Sequence, residues 1–97
     1  MDVAVTRTGE SAVVTVSGDI DSETAPILEE RIARLIRDGA SALVIDLDDV
    51  SFVSSAGLSV LIAAHRDAKQ LELRRGNRIV DRLIELTGLE LLYGTRS

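Results

Sequence analysis

Two adjacent hydroxyls, Ser54 and Ser55, stand directly before Ala56-Gly57 and the most apolar stretch of the chain, Leu58 to Ala64. Serines at the start of a helix have two uses. A hydroxyl there can accept a hydrogen bond from the free N–H groups of the first turn and cap the helix. It can also receive a phosphoryl group, whose roughly two negative charges are stabilised by those N–H groups and the positive end of the helix dipole. The second use would make a switch, because a partner packed on that loop would have to desolvate or repel a new anion. Residue types alone leave both uses open.

Other residues could do different chemistry. Asp46, Asp48 and Asp49 could hold Mg²⁺ and form an aspartyl phosphate, since hard cations take oxygen ligands. Such a receiver-type site also needs an acidic pair after its first strand and a lysine on a late strand, and the sequence has neither. His65 is the only imidazole, and no serine stands near it in a Gly-x-Ser-x-Gly elbow, which disfavours a serine hydrolase. There is no cysteine, so disulfides and thiolate chemistry are excluded and zinc would depend on one His plus carboxylates. No Gly-x-x-x-x-Gly-Lys loop is present to cradle a nucleotide. The expectation is a chain with no catalytic residue, metal or cofactor of its own.

The elements that must position the serines can be read from the periodicity. Val3 and Val5, then "AVVTVSG", form a hairpin turning at Gly9, with the second strand ending at Gly18. Leu28, Ile32, Leu35 and Ile36 recur at helical spacing, with Glu29, Glu30, Arg31, Arg34 and Arg37 on other faces. Asp21 or Ser22 can cap this helix, Pro26 fits its first turn and Gly39 stops it. "ALVIDL", Ala42 to Leu47, reads as a central strand covered on both faces.

The second helix follows the serines, and its first half, with almost no polar face, reads as buried. His65 falls on its later half, partly exposed. "LELR" is a further strand, and Asn77 caps a third helix whose apolar face is Ile79, Val80, Leu83, Ile84 and Leu86, ended by Gly88. "LELLYG" returns as a last strand. The order β-β-α-β-α-β-α-β makes an α/β fold, a mixed sheet with helices packed against it. Asp19 with Asp21, the segment from Asp46 to Gly57, and the Arg75 to Asn77 turn each follow a strand's C-terminal end, where open α/β sheets place function.

Composition bounds the rest. The 97 residues suit one domain, 1–97, with a single core. With one Phe, one Tyr and no Trp, aliphatic side chains must fill that core, and stacking platforms for bases are missing. A net charge of −5 argues against direct nucleic-acid binding, which needs clustered Lys and Arg. No apolar run approaches membrane-spanning length, and the start has no basic region followed by an apolar one, so a cytoplasmic location without membrane insertion is expected.

These residues carry a resemblance. "SGDIDSETAPIL", "LVIDLDDVSFVSSAGLSVL" and "VDRLIELTGL" resemble, over nearly the whole chain, the STAS domain family and within it the single-domain bacterial anti-sigma factor antagonists. The resemblance implies that Ser55, two places before the signature Gly57, is the phosphoacceptor. It implies an anti-sigma factor serine/threonine kinase as partner and a serine phosphatase that resets the switch. Asp21 corresponds to an acid of the loop facing the kinase, and the expected partner surface is Asp21, Ser22, Ser54, Ser55, Ala56, Gly57, Leu58 and Asn77.

On N-cap logic the Ser55 oxygen should lie within reach of the Gly57 or Leu58 N–H, with Ser54 shaping the loop. The sequence departs from the family pattern in carrying Ser54 where many members have an acid, in a shorter link "AHRDAKQLELRRG", and in ending at Ser97 without a final helix. The alternative is a STAS module that is never phosphorylated and binds its partner constitutively, as in transporter-associated members.

Overall fold

The computed structural model describes residues 1–74, 76–86 and 88. The expected last strand, "LELLYG", lies outside them. The described elements follow the order β1 (Asp2–Thr8), β2 (Ser11–Ile20), α1 (Ala25–Arg37), β3 (Ala42–Val53), α2 (Ser55–Asp67), β4 (Gln70–Arg74) and α3 (Arg78–Glu85). Strands β1 and β2 form the expected antiparallel hairpin, with Gly9 at φ +60°, a left-handed value that glycine takes without a Cβ clash. The sheet order is β1-β2-β3-β4, and β2, β3 and β4 run parallel.

The core is a period-two pattern meeting a period-3.6 pattern. Ala12, Val14 and Val16 of β2, Leu43, Ile45 and Leu47 of β3, and Leu73 of β4 are buried with Leu28 and Ile32 of α1, Val60, Leu61 and Ala64 of α2, and Val80 and Ile84 of α3. Fully burying an aliphatic side chain of this size is worth about 1.5–3 kcal/mol. Most ion pairs among the described residues are exposed, Glu30–Arg34 among them, and such pairs are worth about 0–1 kcal/mol. Apolar alternation therefore decides which face of the sheet the helices cover.

Several boundaries differ from the sequence reading. Strand β2 does not stop at Gly18: this residue, at φ +85°, sits where the β2–β3 register shifts, and pairing resumes through Asp19↔Phe52 and Ile20↔Val53. The extra residue of this bulge, Ser51, is on β3, and β2 continues past Gly18 without ending. Strand β3 accordingly runs past Leu47 to Val53, which places Asp48 and Asp49 inside the strand.

Nor is β3 covered on both faces. Leu43, Ile45 and Leu47 are buried, while the alternate residues Ala42, Val44 and Asp46 are half-exposed, because among the described residues all three helices pack on one face. Helix α2 is likewise one-sided: its first half is not wholly buried, since Gly57, Val60 and Leu61 face the sheet while Ser59 is exposed and Ile62 is 46% exposed. On α3, Val80 and Ile84 are buried and Leu83 is half-buried, but Ile79 and Leu86 are 59% and 69% exposed, so the apolar stripe is wider than the face the sheet covers. Arg31 is half-buried, and its guanidinium donates to the Val3 carbonyl at 3.5 Å.

Candidate functional site

Parallel β2, β3 and β4 are neighbours, so the loops leaving their C-terminal ends lie along one edge of the sheet. Backbone and side-chain bonds tie these loops together. The Ser54 N–H donates to the Ile20 carbonyl at 2.8 Å, joining the ends of β2 and β3. The Asn77 side-chain amide donates to the Val50 carbonyl at 3.1 Å, joining the start of α3 to the end of β3. A shallow cleft of about 230 Å³ brings Ser22 and Pro26 beside Ala56 and Ser59.

The two serines are not equivalent, and their arrangement reverses the cap expected from sequence. Ser54 is the N-cap of α2: its backbone is extended, its Oγ accepts from the Gly57 N–H at 3.3 Å, and its carbonyl accepts from the Leu58 N–H at 2.9 Å. Ser55 is the first helical residue, and its side chain is exposed. The cause lies upstream. Pairing of Val53 with Ile20 carries β3 up to Ser54, so the extended residue that a cap requires is the first serine, not the second.

Gly57 is buried beneath them. A Cβ there would come within 2.8 Å of Ile20 Cγ2 and Val53 Cγ1 and within 3.0 Å of the Ile20 carbonyl oxygen. Only a glycine lets the first turn of α2 rest directly on the ends of β2 and β3. Ala56 and Leu58 are half-buried beside it.

Asp21 shapes the neighbouring loop without serving as the N-cap of α1, and Ser22 does not serve as one either. That position belongs to Thr24, which makes no side-chain cap bond. Asp21 Oδ1 accepts from the Glu23 and Thr24 N–H groups, both at 3.0 Å, an Asx turn. Those two N–H groups hold the Asp21 carboxyl below its ordinary value of 3.8, the Thr24 bond contributing most. The Thr24 hydroxyl is turned back into the loop, accepting from the Asp21 N–H at 2.8 Å and donating to the Asp19 carbonyl at 2.9 Å. Sequence reasoning passed over Thr24, although the spacing Asp-x-x-Thr ahead of a helix is its signal. Phe52, 45% exposed near the same edge, was also not singled out.

Asn77 is the N-cap of α3, as expected, its Oδ1 accepting from the Val80 N–H at 2.9 Å. The carboxylates of β3 form no cation cage. Asp46 Oδ1 accepts from the Asp48 N–H at 3.0 Å and Asp46 Oδ2 lies 3.7 Å from Arg74, and no group of three or more His, Cys, Asp or Glu among the described residues is placed to hold a metal. His65, ten residues beyond Ser55 on the same helix, is about 15 Å away along its axis. The two cannot share a proton. Among the described residues no helix is long and apolar enough to cross a membrane.

A family model described as "Mlab, STAS domain" matches residues 3–93. The chain is 40% identical over 86 residues to the anti-sigma-F factor antagonist RsfB of Mycobacterium tuberculosis, covering 84% of this chain and 70% of that one. The crystal structure of an anti-sigma factor antagonist from Mycobacterium paratuberculosis superposes with a TM-score of 0.86 at 35% identity, covering 96% of this chain and 82% of that one. The anti-sigma factor antagonist SpoIIAA in its unphosphorylated form shares the fold at a TM-score of 0.87 and 18% identity, with 99% and 89% covered. With the family match spanning almost the whole sequence and a relative this similar laid over the same mixed sheet, the chain belongs to the STAS domain family, among the anti-sigma factor antagonists.

Proposed function

We propose that this protein is a partner-switching antagonist whose unmodified form binds an anti-sigma factor through the Ser55 edge, releasing a sigma factor, and that phosphorylation of Ser55 turns the binding off. The observation that carries this reading is the separation of roles between the serines. Ser54 holds the helix cap and Ser55 presents an exposed hydroxyl, so a phosphoryl group can be added to Ser55 without removing the cap.

The anti-sigma factor acts as the serine kinase. Ser55 Oγ bonds to the γ-phosphorus of ATP as the bond to the ADP oxygen breaks, and the hydroxyl proton passes to a base of the kinase. The product places about −1.5 to −2 charges at the N-terminus of α2. The helix end tolerates that anion. An interface that buries it without a cation does not, since an unpaired buried charge costs several kcal/mol. A serine phosphatase restores the binding form. The contact surface is Asp21, Ser22, Ser54 to Leu58 and the Asn77 turn, and the chain serves as substrate and ligand.

Mass spectrometry after incubation with the cognate kinase and ATP tests the reading. Phosphate on Ser55 in the wild type and in Ser54→Ala, none in Ser55→Ala, and weak kinase binding by Ser55→Asp are expected. Phosphate on Ser54 with Ser55 unmodified would overturn the assignment. Phosphate on neither would place the protein with the constitutive binding modules.

A further inference from the structure

The last stretch of β3 has a strand on one side only among the described residues. Among the described residues β4 pairs with β3 from Ala42↔Gln70 to Asp46↔Arg74. Beyond Asp46 the pairing with β2 is itself broken, passing from Thr15↔Asp46 to Ser17↔Asp49 and from Gly18↔Val50 to Asp19↔Phe52, so that Ser51 has no partner on β2. This irregular segment leads straight into Ser54 and Ser55. Backbone carbonyls that lose a ladder need another donor, and a bulged strand end without one is free to shift.

Asn77 supplies that donor. Its Nδ2 donates to the Val50 carbonyl at 3.1 Å and lies 3.5 Å from the Ser51 carbonyl, while its Oδ1 accepts from the Val80 N–H at 2.9 Å. Only one orientation of the amide meets all of these, oxygen toward the helix and nitrogen toward the strand. The turn carrying Asn77 is pressed against β3 as well. The Gly76 N–H donates to Asp81 Oδ1 at 3.1 Å, and a Cβ on Gly76 would fall 2.7 Å from the Leu47 carbonyl oxygen.

We infer that Asn77 is a positioning residue of the switch, clamping the Val50–Ser51 backbone so that Ser54 caps α2 and Ser55 is held out at its first turn. The inference rests on Ser55 as the phosphoryl acceptor, and it gives Asn77 a second task beside capping α3. A Ser or Asp at this position could do the capping alone. Only a side chain with both an acceptor and an N–H donor can do both.

The test therefore uses Asn77→Asp in the full chain. It keeps an oxygen for the Val80 N–H but brings no N–H to the Val50 and Ser51 carbonyls and sets a negative charge against them. Asn77→Ala, which lacks both functions, is the comparison. Amide hydrogen exchange read by NMR should show Ser54 and Gly57 exchanging about five- to tenfold faster in Asn77→Asp, the factor that a lost hydrogen bond of ordinary net strength corresponds to. The Val80 amide should keep its protection in Asn77→Asp and lose it in Asn77→Ala.

Phosphoryl transfer from ATP by the kinase that labels the wild type should fall in kcat/KM by a similar factor for Asn77→Asp, although α3 stays capped. Unchanged exchange at Ser54 and Gly57, or labelling of Asn77→Asp at wild-type kcat and KM, would overturn the inference and leave Asn77 a helix cap only. If the wild type itself is not labelled on Ser55, the functional reading fails separately, and the exchange rates still decide whether Asn77 holds the turn.

Discussion

Ser54 Oγ accepts the Gly57 N–H at 3.3 Å, and this one bond frees the adjacent Ser55 hydroxyl from the work of starting α2. A helix whose cap and modification site were the same atom would lose its cap on modification. Here the cap is Ser54 and the proposed phosphoacceptor is Ser55, one residue on.

Ser54→Ala should therefore lower stability and leave the Ser55 hydroxyl in place. Loss of an N-cap costs about 0.5–2 kcal/mol, and about 1 kcal/mol shifts the unfolding midpoint of a domain this size by roughly 4–8 °C. Ser55→Ala removes no cap and should change the midpoint by less than Ser54→Ala does. Thermal unfolding of the two variants side by side checks this, and a larger loss in Ser55→Ala would contradict the division of roles.

Gly57→Ala should be destabilising out of proportion to one methyl group. The new Cβ meets Ile20 and Val53 side chains at 2.8 Å and a backbone oxygen at 3.0 Å, and overpacking of this kind costs about 1–3 kcal/mol. Denaturant unfolding measures it. A variant as stable as the wild type would mean that α2 can lift from the strand ends.

The acid side of the stability curve should carry the signature of Asp21. Its folded-state pKa lies below the ordinary 3.8 because the Thr24 and Glu23 N–H groups favour the carboxylate. A depressed pKa contributes stability that is present above the unfolded value and lost as the pH falls through the folded one. Asp21→Asn keeps a side-chain oxygen for the turn but has no charge to lose. The gap in unfolding midpoint between the wild type and Asp21→Asn should be widest near neutral pH and close as the pH drops through and below 3.8. Parallel curves would remove Asp21 from the account.

The partner surface can be probed without disturbing the Asx turn. Ser22 is exposed beside the cleft shared with Ala56, whereas Lys69 is exposed in the link between α2 and β4, at the opposite edge of the sheet. Ser22→Arg should weaken binding of the anti-sigma factor about tenfold, the effect of an uncompensated bulky charge within an interface. Lys69→Glu should leave it unchanged. Equal losses in a titration of both variants would place the interface elsewhere.

Asp46 should prove a local structural acid. It accepts the Asp48 N–H and pairs with Arg74 across β3 and β4, and an ion pair this exposed is worth about 0–1 kcal/mol. Asp46→Asn should be labelled on Ser55 at the wild-type rate, with its midpoint moved by no more than a few degrees. Loss of labelling would bring the β3 carboxylates back into the chemistry.

Local chemistry made much of this protein readable from its residues. A glycine able to take positive φ between two alternating runs specifies the hairpin. Leu28, Ile32, Leu35 and Ile36 specify α1 by spacing alone, and Asn77 specifies the start of α3 because its side chain bonds within its own turn. The order of the described elements follows from the same short-range signals, whereas the one edge holding Asp21, Ser55 and Asn77 required β2, β3 and β4 to pair in parallel. The motif around Ser54 to Leu58 carried the family.

What tertiary structure decided is everything that depends on where one strand stops against another. Two adjacent serines are equivalent cap candidates to a local reading. The choice of Ser54 comes from the pairing of Ile20 with Val53 beyond the register shift that follows Gly18, a contact between residues 33 positions apart. The same pairing lengthened β3 to Val53. Coverage of a sheet face depends on how many helices pack there, so neither the half-exposure of Val44 and Asp46 nor the exposure of Ile62, Ile79 and Leu86 is written in periodicity. Asn77 shows both at once: its cap is a bond to Val80, three residues away, while its grip on Val50 spans 27 and exists only once α3 has packed on β3.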